Sequence, residues 1–190
     1  MTLADDIRNC TKCTLFDKRT NAVPAEAGSK YRKGGVAIFA EAPGADEDRT
    51  GRPMVGRAGR LLDGLLLQAG LSRDEVVILN RIRCRPVRNR VQDFPDALLA
   101  CDEWVKRELD AYVPSVVVLA GNTALRSVFG ATVNITSVRG TARQTSDDHV
   151  YGHRLWVPCF HPAAALRNPQ LITTLVDDLR LAEELYNEGI

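Results

Sequence analysis

Short apolar runs alternate with longer amphipathic stretches along almost the whole chain. Val36–Phe39, Val76–Leu79, Val116–Ala120 and Leu155–Phe160 are apolar runs of strand length, rich in β-branched residues. Between and after them, apolar positions recur with helical spacing. Gly59–Ala69 places leucines at 61, 62, 65 and 66, and Pro95–Tyr112 carries Leu98, Leu99, Trp104 and Leu109. Ala124–Phe129 follows a Gly-Asn turn, and the amphipathic stretch Asn168–Tyr186 closes the pattern. Strands without polar alternation are buried on both faces, and strand–helix alternation belongs to parallel crossover units. The pattern predicts an α/β fold: a three-layer α/β/α sandwich around a mostly parallel four-stranded sheet. With no repeat, linker or low-complexity segment, residues 1–190 read as a single domain.

In open sheets of this kind, ligands bind outside the carboxyl ends of the strands. Glu41 follows the first strand, Asn80 ends the second, Gly121-Asn122 follows the third and His161 the fourth. Four strand ends carrying usable chemistry point to an enzyme. The stretch Ala40–Gly59 (AEAPGADEDRTGRPMVGRAG) adds a Pro-Gly turn, a run of acids and several arginines just after the first strand.

Composition narrows the picture only slightly. A chain 45% hydrophobic and 26% charged is an ordinary globular sequence, and a net charge of +1 selects no partner. Charge distribution says more: Arg81–Arg90 (RIRCRPVRNR) holds five arginines and no acid, and the guanidinium fork suits phosphate oxygens. The first ten residues include two Asp and no apolar core of a secretory signal. No apolar stretch approaches the roughly 18 residues of a membrane span. The expectation is a cytoplasmic protein with no membrane partner.

Five cysteines in a reducing compartment favour metal binding or catalysis over disulfides. Cys10 and Cys13 form a C-x2-C pair, and 16 residues separate Cys84 from Cys101. Four such thiolates suit zinc or a [4Fe–4S] cluster, and the spacing does not choose between them. Coordination would tie the N-terminal segment to the arginine-rich loop and to the start of the second long helix. Cys159, inside the apolar run VPCF, reads as a small core residue.

The elements taken in order resemble the family 4 uracil-DNA glycosylases, the iron–sulfur branch of their superfamily. The likeness runs from Cys10 to about Pro169. It is carried by the C-x2-C pair, AEAPGADEDRTGRPMVGRAGRLL, NRIRCRPVRNR, Cys101, PSVVVLAGNTALRSVFG and CFHPAAALRNP. The resemblance implies hydrolysis of the N-glycosidic bond of uracil in DNA, the first step of base-excision repair. It also implies a [4Fe–4S] cluster on Cys10, Cys13, Cys84 and Cys101. The expected partner is uracil-containing DNA, met by a monomer acting at the nucleoid.

That chemistry assigns candidate roles. The nucleotide must leave the stack and enter a pocket. Asn80 can both donate and accept, which pairs with uracil O4 and N3–H and mismatches cytosine. His161 can donate to uracil O2, where negative charge grows as the bond breaks. Glu41, by resemblance, positions the water or stabilises the cationic sugar, with Glu47 second; Asp46 and Asp48 read as a solvated turn. Backbone N–H groups from Ala42 through Pro43 to Gly44 are expected to cradle the base. Arg52, Arg57, Arg85, Arg88, Arg90 and Arg167 are expected to hold DNA, with Leu166 as an apolar wedge or, equally, a core-facing helix residue. The family pattern G-R-P-F-V-G reads here Gly51-Arg52-Pro53-Met54-Val55-Gly56, replacing a stacking ring by a flexible thioether. A reshaped pocket for another base, and a non-catalytic damaged-DNA binder or iron–sulfur sensor on the same scaffold, are the competing readings.

Overall fold

In a computed structural model that describes residues 1–189, the apolar runs lie side by side in one sheet. Its strands are β1 (Glu26–Ala27), β2 (Val36–Ala40), β3 (Val76–Asn80), β4 (Val116–Ala120), β5 (Arg143–Gln144) and β6 (Leu155–Cys159), in the order β1-β3-β2-β4-β6-β5. The four expected strands are all parallel, in the order β3-β2-β4-β6. The sheet has six strands, not four, because β1 and β5 add short antiparallel edges. Each edge strand is two residues long, too short to carry a period of two.

Each parallel strand sends alternate residues to opposite faces. Val36, Ile38, Ile78, Val118 and Val157 pack with leucines of α3 (Arg57–Gln68) and α8 (Leu171–Asn187), and with α7 (Pro162–Ala165). Ala37, Phe39, Val77, Leu119 and Trp156 pack on α4 (Pro95–Tyr112), α5 (Asn122–Phe129) and α6 (Ile135–Val138). Two separate apolar layers, one per sheet face, make the three-layer sandwich.

The connectivity fixes where a ligand can enter. From central β2 the chain passes to β3 on one side, then returns to β4 on the other. The loops leaving β2 and β4 therefore diverge and open a crevice at their carboxyl ends. Glu41 follows β2 and Gly121 follows β4, so both stand at this switch point.

A third apolar cluster lies beneath the N-terminal arm. Ile7 from α1 (Leu3–Arg8), Leu15, Ile82, Cys84, Cys101 and Trp104 are among its buried members. Thr2 and Asp5 cap α1 reciprocally, the Thr2 hydroxyl accepting from the Asp5 N–H and the carboxylate from the Thr2 N–H at 2.9 Å. Among the described residues, no helix is long and apolar enough to cross a membrane.

Candidate active site

A cleft of about 560 Å³ opens at the switch point. Glu41, Ala42, Pro43 and Gly44 line one side, Met54 and Arg57 another, and His161 and Arg167 a third. Glu41 is held from across the crevice, because the Thr123 hydroxyl in the first turn of α5 donates to its Oε2. Thr123 was not among the expected residues, although it follows the Gly-Asn turn directly. Its partner is 82 residues away, and only the parallel pairing of β2 with β4 brings the two together.

His161 is the residue before Pro162 and caps the short α7. Its Nδ1 accepts the Ala163 N–H at 3.1 Å. That bond puts the ring proton on Nε2, leaving a donor on the other side of the ring. Burial, then the positive charge of Arg167, lowers the imidazole pKa to about 4, against a smaller opposing pull from Glu47. At neutral pH His161 is therefore an uncharged hydrogen-bond donor. Gly121 lets it approach: φ is +92° there, and a Cβ would stand 3.1 Å from the His161 Cβ.

The run of acids is not a solvated turn. Residues Ala45–Thr50 form a short helix, α2, with Glu47 and Asp48 buried. Glu47 Oε2 accepts the Gly44 N–H at 2.9 Å, and Oε1 accepts Val55 and Gly56 N–H groups at 2.9 and 2.7 Å. Asp48 Oδ1 takes the N–H groups of Thr20 and Asn21, joining the N-terminal arm to the cleft loop. Glu47 thus organises the loop with both oxygens engaged. The expected backbone cradle also shrinks. Pro43 has no N–H and that of Gly44 is bonded to Glu47, which leaves the Ala42 N–H.

Asn80 ends β3, paired in register with Ala40, one residue before Glu41. It does not line the cleft; its side chain is 1% exposed. Neither its carboxamide oxygen nor its nitrogen has a hydrogen-bond partner among the described residues. Leaving such groups buried and unpaired costs about 1–3 kcal/mol each, so an orphaned carboxamide marks a place where a polar partner belongs. Its backbone is fixed: Arg83, paired with Glu108 in the interior, donates to the Asn80 carbonyl.

The uracil DNA glycosylase superfamily model matches residues 30–182. The chain belongs to that superfamily. A type-4 uracil-DNA glycosylase of Thermotoga maritima is 37% identical over 189 residues, covering 98% of this chain and 94% of that protein. Those of Saccharolobus solfataricus and Sulfurisphaera tokodaii are each 36% identical, covering 96% of this chain and 84% and 83% of theirs. These relatives place it in the type-4 branch.

This glycosylase-superfamily chain presents its basic groups unevenly. Arg57 and Arg167 line the cleft, and Arg57, Arg88 and Arg167 are exposed with no ion pair among the described residues. Arg52 is instead forked onto Glu26, its Nε and Nη2 each 2.7 Å from a carboxylate oxygen. Arg90 pairs with Asp93 at 3.1 Å, and Arg85 Nε donates to Asn89 at 3.1 Å. Arg81 and Arg83 are buried, held by Asp102 and Glu108. Two of the five arginines in the basic run are thus architectural. Leu166 is 39% exposed beside the cleft mouth, on the surface rather than in the core.

Cys10, Cys13, Cys84 and Cys101 all belong to the third apolar cluster. Trp104 Nε1 donates to Cys10 Sγ at 3.3 Å and Arg19 Nη1 to Cys84 Sγ at 3.2 Å. Burial raises the Cys13 and Cys84 thiols, and Cys101 to about 11 against the opposing charge of Arg83. Among the described residues, no three His, Cys, Asp or Glu side chains are arranged to hold a metal ion. Cys159 is buried away from this cluster, in the layer between the sheet and α8, as a core residue.

Proposed function

We propose that the protein is a monofunctional uracil-DNA glycosylase, hydrolysing the N-glycosidic bond of uracil in DNA and leaving an abasic site. The observation that carries this reading is the orphaned Asn80 carboxamide at the carboxyl end of β3, next to the β2 end that leads into a cleft whose His161 is a neutral donor. The names of its type-4 relatives support the same activity. A flipped uracil offers O4 and N3–H to the carboxamide, an acceptor and a donor matching both orphaned atoms. Cytosine offers the reverse pattern there and leaves buried groups unpaired.

As the glycosidic bond breaks, its electron pair stays on the base, and charge develops on O2. The His161 Nε2–H and the Ala42 N–H are donors for that oxygen, without proton transfer from the ring. Glu41, oriented by Thr123, faces the cleft as the carboxylate that aligns water at C1′ and offsets positive charge on the sugar. Arg57, Arg88 and Arg167, without ion pairs among the described residues, are available to the DNA backbone, and the exposed Leu166 to the vacated stack. Arg85, Arg90 and Arg52 each already commit one or two guanidinium nitrogens to a protein partner.

Cys10, Cys13, Cys84 and Cys101 suit a [4Fe–4S] cluster. The set is all thiol, two members accept N–H donors, and metal charge would offset the burial that raises the Cys13, Cys84 and Cys101 thiols. Such a cluster supplies a covalent tie between the N-terminal arm, the arginine loop and α4, remote from the bond that breaks. The protein acts in this reading as a monomer.

The test is base release from oligonucleotides carrying one uracil, hypoxanthine, xanthine, mismatched thymine or 5-hydroxymethyluracil, read as alkali-labile sites. Cleavage at uracil is expected. Cleavage at none, with DNA still bound, would replace the enzyme by a damaged-DNA binder. Cleavage only at another base would assign Met54 a reshaped pocket.

A further inference from the structure

The segment Pro53–Gly56 joins α2 to α3 in neither strand nor helix, so its backbone polar groups need partners from elsewhere. Three charged side chains provide them. Arg73 Nη2 donates to the Pro53 carbonyl at 2.6 Å, and Arg73 Nη1 to the Met54 carbonyl at 2.8 Å. Arg60 Nη1 donates to the Val55 carbonyl at 3.1 Å, while Glu47 takes the N–H groups of Val55 and Gly56.

At the centre of this clamp, Met54 has φ of +50°, a left-handed conformation that costs energy for any residue with a Cβ. Its carbonyl lies against α3 so closely that a Cβ on Gly59 would stand 1.8 Å from the oxygen. A carbonyl pressed between two backbones needs an internal donor. Only the planar fork of an arginine reaches two successive carbonyls and keeps a carboxylate as well. The same two Arg73 nitrogens also meet carboxylates, Nη1 with Asp63 at 3.1 Å and Nη2 with Glu26 at 3.9 Å, and Glu26 in turn holds Arg52. The strained residue is also a cleft residue: Met54 is 5% exposed and lines the same cleft as His161.

We propose that Arg73, which touches neither cleft nor base, is a positioning residue that holds Met54 left-handed and so sets the wall against which the flipped base lies. The effect on catalysis rests on the uracil-pocket reading, whereas the clamp does not. Loss of the fork frees two carbonyls, the strain at Met54 relaxes, and the thioether leaves the wall. Arg73→Lys keeps the charge and one donor at a time, so it retains part of the effect.

The experiment compares Arg73→Gln and Arg73→Lys with the cluster-containing wild type by two readouts. Amide hydrogen exchange at Val55 and Gly56 is expected to rise at least ~10-fold in Arg73→Gln, with β3 unchanged. Single-turnover excision of uracil is expected to fall ~10-fold with half-saturation moved less than ~3-fold, and Arg73→Lys to lie between. Unchanged exchange at 55 and 56 would overturn the clamp. Raised exchange with a wild-type excision rate would overturn the positioning role. If the wild type excises no uracil, the pocket reading fails, and the exchange comparison still decides the clamp. If Arg73→Gln does not fold, Arg73→Lys is read by the same two criteria.

Discussion

His161 divides its work between two ring nitrogens. Nδ1 is occupied by the Ala163 N–H, so Nε2 carries the proton, and burial with Arg167 keeps the ring uncharged above about pH 4. A folded-state pKa below the ordinary value means that the unfolded chain binds more protons between about 4 and 6.5. Stability is therefore lost as pH falls through that window, and not as it rises. For excision the expectation is a single-turnover rate with no falling limb as pH rises from about 6 to 8, measured at saturating enzyme. A rate dropping about tenfold per pH unit above about 6.5 would mean that the imidazolium is required. Asn80 and His161 were legible in the sequence because each stands where an apolar run stops. Thr123, Arg73 and Glu108 were not, because their roles depend on partners that only the folded sheet brings near. Glu47 sat in plain view within an acidic run, but its capping partner is a glycine, which leaves no Ser or Thr to signal the box.

At the level of elements, periodicity succeeded where a segment was long and buried on a definite face. Pro95–Tyr112 and Val116–Ala120 have the expected limits. The last helix starts at Leu171 instead of Asn168, since Asn168-Pro169 folds as a turn with the Leu171 N–H on the Asn168 carbonyl. The two-residue edge strands and α2 escaped notice for a different reason: two residues show no period, and five polar residues in six hide a helix that buries two acids. The loop between α2 and α3 is where these elements become a site, and Gly59 is its tightest point. Gly59→Ala is expected to cost about 1–3 kcal/mol in urea denaturation, because helix and Met54 carbonyl must part. It is also expected to slow excision, since the displaced wall is that of the cleft. Unchanged stability would show that the loop yields freely there.

The whole molecule is two devices on one frame. The parallel sheet sets Glu41 and His161 on one crevice, with Thr123 bonded to Glu41 and Asn80 buried at the neighbouring strand end, while the apolar cluster that includes the four cysteines packs the arm against Ile82 and α4. The fold class and the crevice followed from the order of apolar runs, whereas the inward turn of Arg81 and Arg83 needed the α4 carboxylates Asp102 and Glu108 to explain it. Cys101→Ala is expected to remove the broad absorption near ~400 nm of a [4Fe–4S] centre and to speed proteolysis of the arginine loop. Full absorption in that variant would exclude Cys101 as a ligand. The central claim is that the Asn80 carboxamide binds the base whose bond is broken. It is tested most directly by single-turnover excision of uracil by Asn80→Ala protein that keeps its fold and colour. The predicted result is a rate at least ~100-fold below wild type; a rate within ~3-fold of wild type would contradict the claim.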